Sequence, residues 1–208
     1  MNRRFLLTTA AAALMTGGMF TSAFAQDAES ADAPVVEDLV LGSADATVEI
    51  LEYGSFTCPH CATFHEAFYK PLKAEYIDTG KVRFVYRELV RNRFDIWASM
   101  LARCGDGIRY EGISGMLFEQ QTEWTAGGDP ATMSANLRQM GKIVGFNDEQ
   151  LDQCFSDASL AEAILNKSTT EAEADNVTGT PTVFINGERV SLSTYEAFKA
   201  EIDAALGE

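Results

Sequence analysis

Val48-Glu49-Ile50-Leu51-Glu52-Tyr53 is a run of β-branched and apolar residues, which predicts a buried strand. From Thr57 to Tyr76, Phe64, Ala67, Phe68, Pro71 and Leu72 recur near a 3.6-residue period, so this stretch reads as a helix. Pro71 should kink or divide it, because proline removes a backbone donor and crowds the preceding turn. Thr79-Gly80 closes the segment, and Lys81 to Leu89 alternates as a second strand. Strand, helix and strand in that order imply a right-handed parallel βαβ unit. The pattern then changes, and from Phe94 to Asp175 only helical signals occur. Gly127-Gly128-Asp129-Pro130 supplies a turn, an N-cap and a first-turn proline for a helix ending near Gly145. Asn147 to Gln150 opens a second helix there, and Leu160 to Ala174 forms a third. After Pro181, two β-like runs, Thr182 to Ile185 and Arg189 to Leu192, flank Asn186-Gly187, a strong hairpin signal. Thr194 to Leu206 then places Tyr195, Phe198, Ile202 and Leu206 on one helical face. No internal repeat is present. The fold class is α/β, with an all-helical segment inserted into it.

The chain ends change the picture. Arg3 and Arg4 precede a stretch without charge from Phe5 to Phe20, and Ala23-Phe24-Ala25 presents small residues where a signal peptidase reads them. Residues 1–25 are therefore expected to be a signal peptide, cleaved before Gln26. Thr8, Thr9, Thr16, Gly17 and Gly18 interrupt the apolar run, which falls short of the ~20 residues a membrane span needs. The arginine pair faintly resembles a twin-arginine signal and is equally normal in a general secretory one, the preferred reading. Gln26 to Asp38, acidic and alanine-rich, is expected to be a flexible tail.

Composition narrows the function. The 208 residues are 46% hydrophobic and 23% charged, ordinary for a folded domain. Sixteen basic residues face 31 acidic ones, for a net charge of −15, and loss of Arg3 and Arg4 makes it more negative still. That balance argues against a nucleic-acid-binding surface, which requires clustered Lys and Arg. Four cysteines are too few for a disulfide scaffold, so their placement matters more than their number. Export puts them where disulfides persist.

Cys58-Pro59-His60-Cys61 sits where the first strand hands over to a helix. Unpaired N–H groups and the positive helix end favour a thiolate on Cys58. Pro59 suits the first turn, and His60 can contribute positive charge or a hydrogen bond. Cys61, one turn along, faces back toward Cys58 at a spacing compatible with a disulfide. No second Cys-x-x-Cys or histidine pair completes a zinc site, and Ala62 stands where covalent haem attachment needs histidine. Thiol–disulfide chemistry without a cofactor is the expected use.

The segment from Leu51 to Cys61, LEYGSFTCPHC, resembles the active-site stretch of the DsbA family of periplasmic thiol–disulfide oxidases, and Val177 to Thr182, VTGTPT, resembles its second signature loop. The likeness spans roughly residues 40–206. It implies a thioredoxin fold with an inserted helical domain, divided as 39–93 and 176–208 for the thioredoxin-like part and 94–175 for the insertion. It implies that Cys58 is the exposed thiol forming mixed disulfides and Cys61 the resolving thiol. Glu52 would be a buried acid moving protons on and off Cys61. Pro181 would be cis, with Thr180 beside Cys58 and its backbone pairing with extended substrate. Cys104 and Cys154, both in the insertion, are either small buried hydrophobes or bonded to each other. The exported setting favours the bond, and members of this branch often carry such a pair. Glu171, Glu173 and Asp175 either approach the active site, opposing thiolate formation, or form a solvated helix face, the preferred reading.

The expected activity is that of an oxidase donating the Cys58–Cys61 disulfide to reduced exported proteins in the periplasm, as a monomer, with reoxidation by a quinone-linked DsbB-type membrane partner. A reductase or isomerase is the alternative. Isomerases of this superfamily usually dimerise through an added N-terminal domain, whereas an acidic stretch of only about 15 residues precedes the fold here. A Cu(I)-binding module using the two soft thiolates is a third and weaker reading, with no methionine cluster to favour it.

Overall fold

In a computed structural model the chain is described over residues 34–208. The expected signal peptide and the tail up to residue 33 lie outside the described residues. One mixed sheet, in the order β1-β3-β2-β4-β5, organises the molecule. Its strands are β1 (Leu39–Leu41), β2 (Val48–Gly54), β3 (Val82–Glu88), β4 (Thr182–Ile185) and β5 (Glu188–Val190). β2 and β3 pair in parallel, Val48 opposite Val82, and the other pairings are antiparallel. The parallel βαβ unit and the hairpin are both present, with Asn186 and Gly187 at φ 48° and 83° in the turn. β1 did not register in the sequence pattern, because three residues are too few to display a period.

The helix after β2 begins at Pro59, not Thr57, and Cys58 is its N-cap. The helical stretch continues past Pro71 but changes type around it. The chain runs through α1 (Pro59–Phe64), a π segment (His65–Tyr69), α2 (Lys70–Leu72) and a second π segment (Lys73–Ile77). The wider π turns flanking Pro71 make room for the ring and absorb the missing donor.

Between β3 and β4 lie α3 (Arg93–Arg103), α4 (Tyr110–Glu119), α5 (Gln121–Trp124), α6 (Pro130–Ile143), α7 (Asp148–Ser156) and α8 (Ala158–Ala174). Asp129 and Asn147 cap α6 and α7 through their side chains, as the sequence signals implied. α3 is the hub, packing on α4, α6, α7 and α8. A disulfide joins Cys104, just past α3, to Cys154 of α7, with Cα atoms 5.7 Å apart. α9 (Tyr195–Leu206) closes the chain and buries Phe198 and Ile202.

The core lies mainly on one sheet face, where Val48, Ile50, Phe84 and Tyr86 meet Phe64, Leu72 and Phe198. On the other face Tyr53 packs with Ala172 and Val177. The end of the acidic tail is not free, contrary to expectation. Asp38 accepts from Arg87 Nε and Nη2 at 2.9 and 2.7 Å, and the Glu37 carbonyl accepts from Arg103 at 3.0 Å. Arg87 also pairs with Glu171 at 2.7 Å, and Tyr53 donates to Asp175 at 2.6 Å. Glu171 and Asp175 thus belong to an ion network on the sheet face opposite the main core, and Glu173 is exposed. No helix among the described residues is long and apolar enough to cross a membrane.

Candidate active site

β2 delivers the site. Residues two apart on a strand share a face, so Glu52 follows Val48 and Ile50 into the main core while Tyr53 turns to the opposite side. Glu52 is only 3% exposed. Burial, then the neighbouring Cys58 thiolate, pushes its carboxyl up to about 8. Gly54 ends the strand under the Tyr86 ring, which any larger side chain there would overlap.

The turn Ser55–Cys58 carries the chain into α1. Cys58 and Cys61 are both free thiols, and the Ser55 N–H points at Cys61 Sγ from 3.5 Å. The implied exposed nucleophile needs correction: Cys58 is 2% exposed, scarcely more than Cys61 at 0%. The loop carrying Pro181 covers it, with Cys58 Sγ 3.4 Å from the Thr180 carbonyl. The Thr180–Pro181 peptide is cis.

The two thiols are held apart electrostatically. Burial pushes Cys58 up, but hydrogen bonds from Thr180 and from the Cys61 and His60 amides outweigh it and hold the thiol below the ordinary cysteine value. Burial, reinforced by Glu52, drives Cys61 strongly upward. The buried Thr180 Oγ1 has no partner among the described residues while both sulfurs are thiols. Its hydroxyl is placed to favour a thiolate on either sulfur. Pro59 and His60 are exposed, and the His60 amide favours the thiolate. Cys104 and Cys154 lie apart from this centre, bonded to each other within the insertion. The remaining histidine, His65, is buried between Tyr69 and Phe118, and desolvation lowers it to about 4. Among the described residues no group of three or more His, Cys, Asp or Glu could hold a metal ion.

Three residues of the site were not singled out from sequence. Asp95 of α3 accepts from Ser55 Oγ, the Thr57 amide and the Arg91 amide, each at 2.9 Å. Gln121, the first residue of α5, donates to the Phe56 and Cys58 carbonyls at 2.7 and 3.0 Å. Tyr86 of β3, opposite Glu52 in register, is fully buried with its hydroxyl unpaired among the described residues. Asp95 follows the Asn92 cap by three residues, a pattern that marks a helix start and says nothing of a link to the cysteines.

A family model described as Thioredoxin matches residues 35–204. A Rickettsia bellii protein named as a protein-disulfide oxidoreductase is 33% identical over 172 residues, covering 82% of this chain and 65% of its own. The chain thus spans about two thirds of the length of that relative. Among solved structures, Wolbachia pipientis α-DsbA1 matches with a TM-score of 0.74 at 24% identity, covering 84% of this chain and 93% of that one. A protein-disulfide isomerase from Novosphingobium aromaticivorans gives 0.74 at 23% identity, covering 82% and 98%. At such identities the structures testify to the fold, a thioredoxin-type sheet with helices inserted between β3 and β4. On the family match and this topology together, the chain belongs to the thioredoxin family and has the architecture of its DsbA-type members.

Proposed function

We propose that the protein is a periplasmic thiol–disulfide oxidoreductase working as an oxidase on exported proteins. A client thiolate attacks Cys58 Sγ of the Cys58–Cys61 disulfide, the S–S bond breaks, and Cys61 leaves. The leaving sulfur takes a proton from Glu52, which is protonated at neutral pH. The client's second thiolate then attacks its own sulfur in the mixed disulfide and expels Cys58 as a thiolate. Two electrons pass from client to protein, and a quinone-linked DsbB-type membrane partner removes them. Thr180 and Pro181 line the client strand's path, and Pro59 and His60 form the exposed rim of the pair. The division into 39–93 with 176–208 and an insertion at 94–175, the structural role of Cys104–Cys154, the signal peptide cleaved before Gln26 and the monomeric state are parts of the same reading.

One observation carries it: Cys58 lies below its ordinary value while Cys61, in the same motif, lies far above. That asymmetry makes Cys58 the better leaving group and Cys61 the slower nucleophile, the arrangement suited to passing a disulfide on. Cys61→Ser should accumulate mixed disulfides with exported proteins on non-reducing gels, and Cys58→Ser should not. Adducts formed only by Cys58→Ser would reverse the roles. Alkylation of freshly isolated periplasm should find the pair oxidised, whereas a reduced pair would turn the reading to a reductase or isomerase.

A further inference from the structure

The helical insertion reaches the redox pair through buried polar contacts that the exchange chemistry does not itself use. The turn Ser55–Cys58 has backbone donors and acceptors that neither strand nor helix can satisfy, and such buried groups need partners. Two insertion side chains supply them from different helices. Asp95, 2% exposed, accepts from the Thr57 amide and the Ser55 hydroxyl. Gln121, 7% exposed, donates from one nitrogen to the Phe56 and Cys58 carbonyls. Asn92 adds a contact from its amide to the Thr57 hydroxyl at 2.8 Å.

We propose that Asp95 and Gln121 are positioning residues which clamp the Ser55–Cys58 turn, so that its amides and those opening α1 face the two sulfurs. Both arms bear on the opening of α1. Asp95 holds the Ser55 side chain and the Thr57 amide beside Cys58, and the Ser55 amide is the donor 3.5 Å from Cys61 Sγ. Gln121 holds the Cys58 carbonyl, which also accepts from the Cys61 and Ala62 amides at 3.0 and 3.2 Å. Those bonds set the direction of the first helical turn, and the Cys61 and His60 amides of that turn favour the Cys58 thiolate. A turn free to relax would point them elsewhere. The helical insertion thereby tunes chemistry performed on the thioredoxin-type sheet. This rests on the proposed redox role of Cys58 and Cys61.

Two substitutions that change no charge test it. Gln121→Met keeps the length of the side chain, leaves the Phe56 carbonyl without its donor and leaves the Cys58 carbonyl with the helix amides alone. Ser55→Ala removes one of the two bonds by which Asp95 holds the turn, leaving that from the Thr57 amide, and it carries the same readouts in the same direction should Gln121→Met not fold. In each, the Cys58 acid constant, read from thiolate ultraviolet absorbance, should weaken about tenfold, or about one pKa unit. The oxidised-to-reduced ratio at a set glutathione poise should rise about tenfold, or about 30 mV less oxidising. Folded variants whose melting temperature drops while Cys58 ionisation and the glutathione equilibrium stay put would overturn the clamp and leave a packing role only. Wild-type protein that does not exchange with glutathione would strike the proposed function instead, and the Cys58 titration would still report on the clamp.

Discussion

Glu52 occupies the core because strand alternation leaves it no other face: Val48 and Ile50 precede it in the same row, and both are fully buried. The same position has a cost that depends on pH. An unfolded Glu52 loses its proton near the ordinary carboxyl value of 4.5, and the folded one holds it up to about 8. Between those values the folded protein binds the extra proton, so stability falls as pH rises through the window, by about 1.4 kcal/mol per unit. Glu52→Gln removes the titration. Urea unfolding of the reduced protein at about pH 5 and about pH 8 should show a loss in the wild type that the variant lacks. Equal slopes would mean that Glu52 is not held protonated. Glu52 was legible in the sequence because its place in LEYGSFTCPHC drew attention to it. Its consequence required the fold, since burial alone provides the largest cause of the shift.

The insertion is anchored by a buried ion pair between element ends. Arg103, in the last turn of α3, pairs with Glu88, the last residue of β3, with 9% and 7% of their side chains exposed. Arg103 Nη2 donates to Glu88 Oε2 at 2.6 Å, and Tyr110 of α4 donates to Oε1, also at 2.6 Å. A buried pair contributes little against a well-packed apolar substitute, but removing one partner strands the other charge. Arg103→Met should therefore cost about 3–5 kcal/mol in denaturant unfolding, while the double change with Glu88→Leu should recover much of it. A single variant as stable as the wild type would show that Glu88 finds another partner or a proton. The caps of α6 and α7 could be read in advance because Asp129 and Asn147 act within a few residues of themselves. The Glu88–Arg103–Tyr110 contact and the hydrogen bonds of Asp95 to Ser55 and Thr57 join residues 15 to 40 positions apart. No local pattern announces them. Pro71 shows the opposite limit: the local rule anticipated a kink or a division, and the helical stretch carries on past it with a π segment on either side.

For the molecule as a whole, the depressed Cys58 thiol links redox state to stability. A group lowered on folding stabilises the fold fully above its unfolded pKa, near 8.5, and loses that contribution as pH falls through the folded value. Only the reduced protein has this thiolate. The reduced form should therefore melt above the oxidised one at about pH 7, with the gap closing as the pH is lowered through the folded Cys58 value. Repulsion from Glu52 narrows the gap at the alkaline end. The comparison belongs in mild glutathione, with mass spectrometry confirming that Cys104–Cys154 remains bonded. An oxidised form melting higher at about pH 7 would turn the proposed oxidase into a reductase.

Periodicity, caps and turn chemistry are local, and the sequence alone determined whatever depends on them: the β2–helix–β3 unit, the helical stretch after it, the hairpin at Asn186-Gly187, and a cysteine pair at the start of a helix. Element ends shifted by a residue or two because helix and strand termini are settled by competing partners. The tertiary structure decided the rest. It added β1, held Asp38 with Arg87, covered Cys58 with the Thr180–Pro181 loop, and carried Asp95 and Gln121 from separate helices to one turn. These are contacts between segments distant in sequence, and their strength comes from burial, which appears only when the chain closes around them.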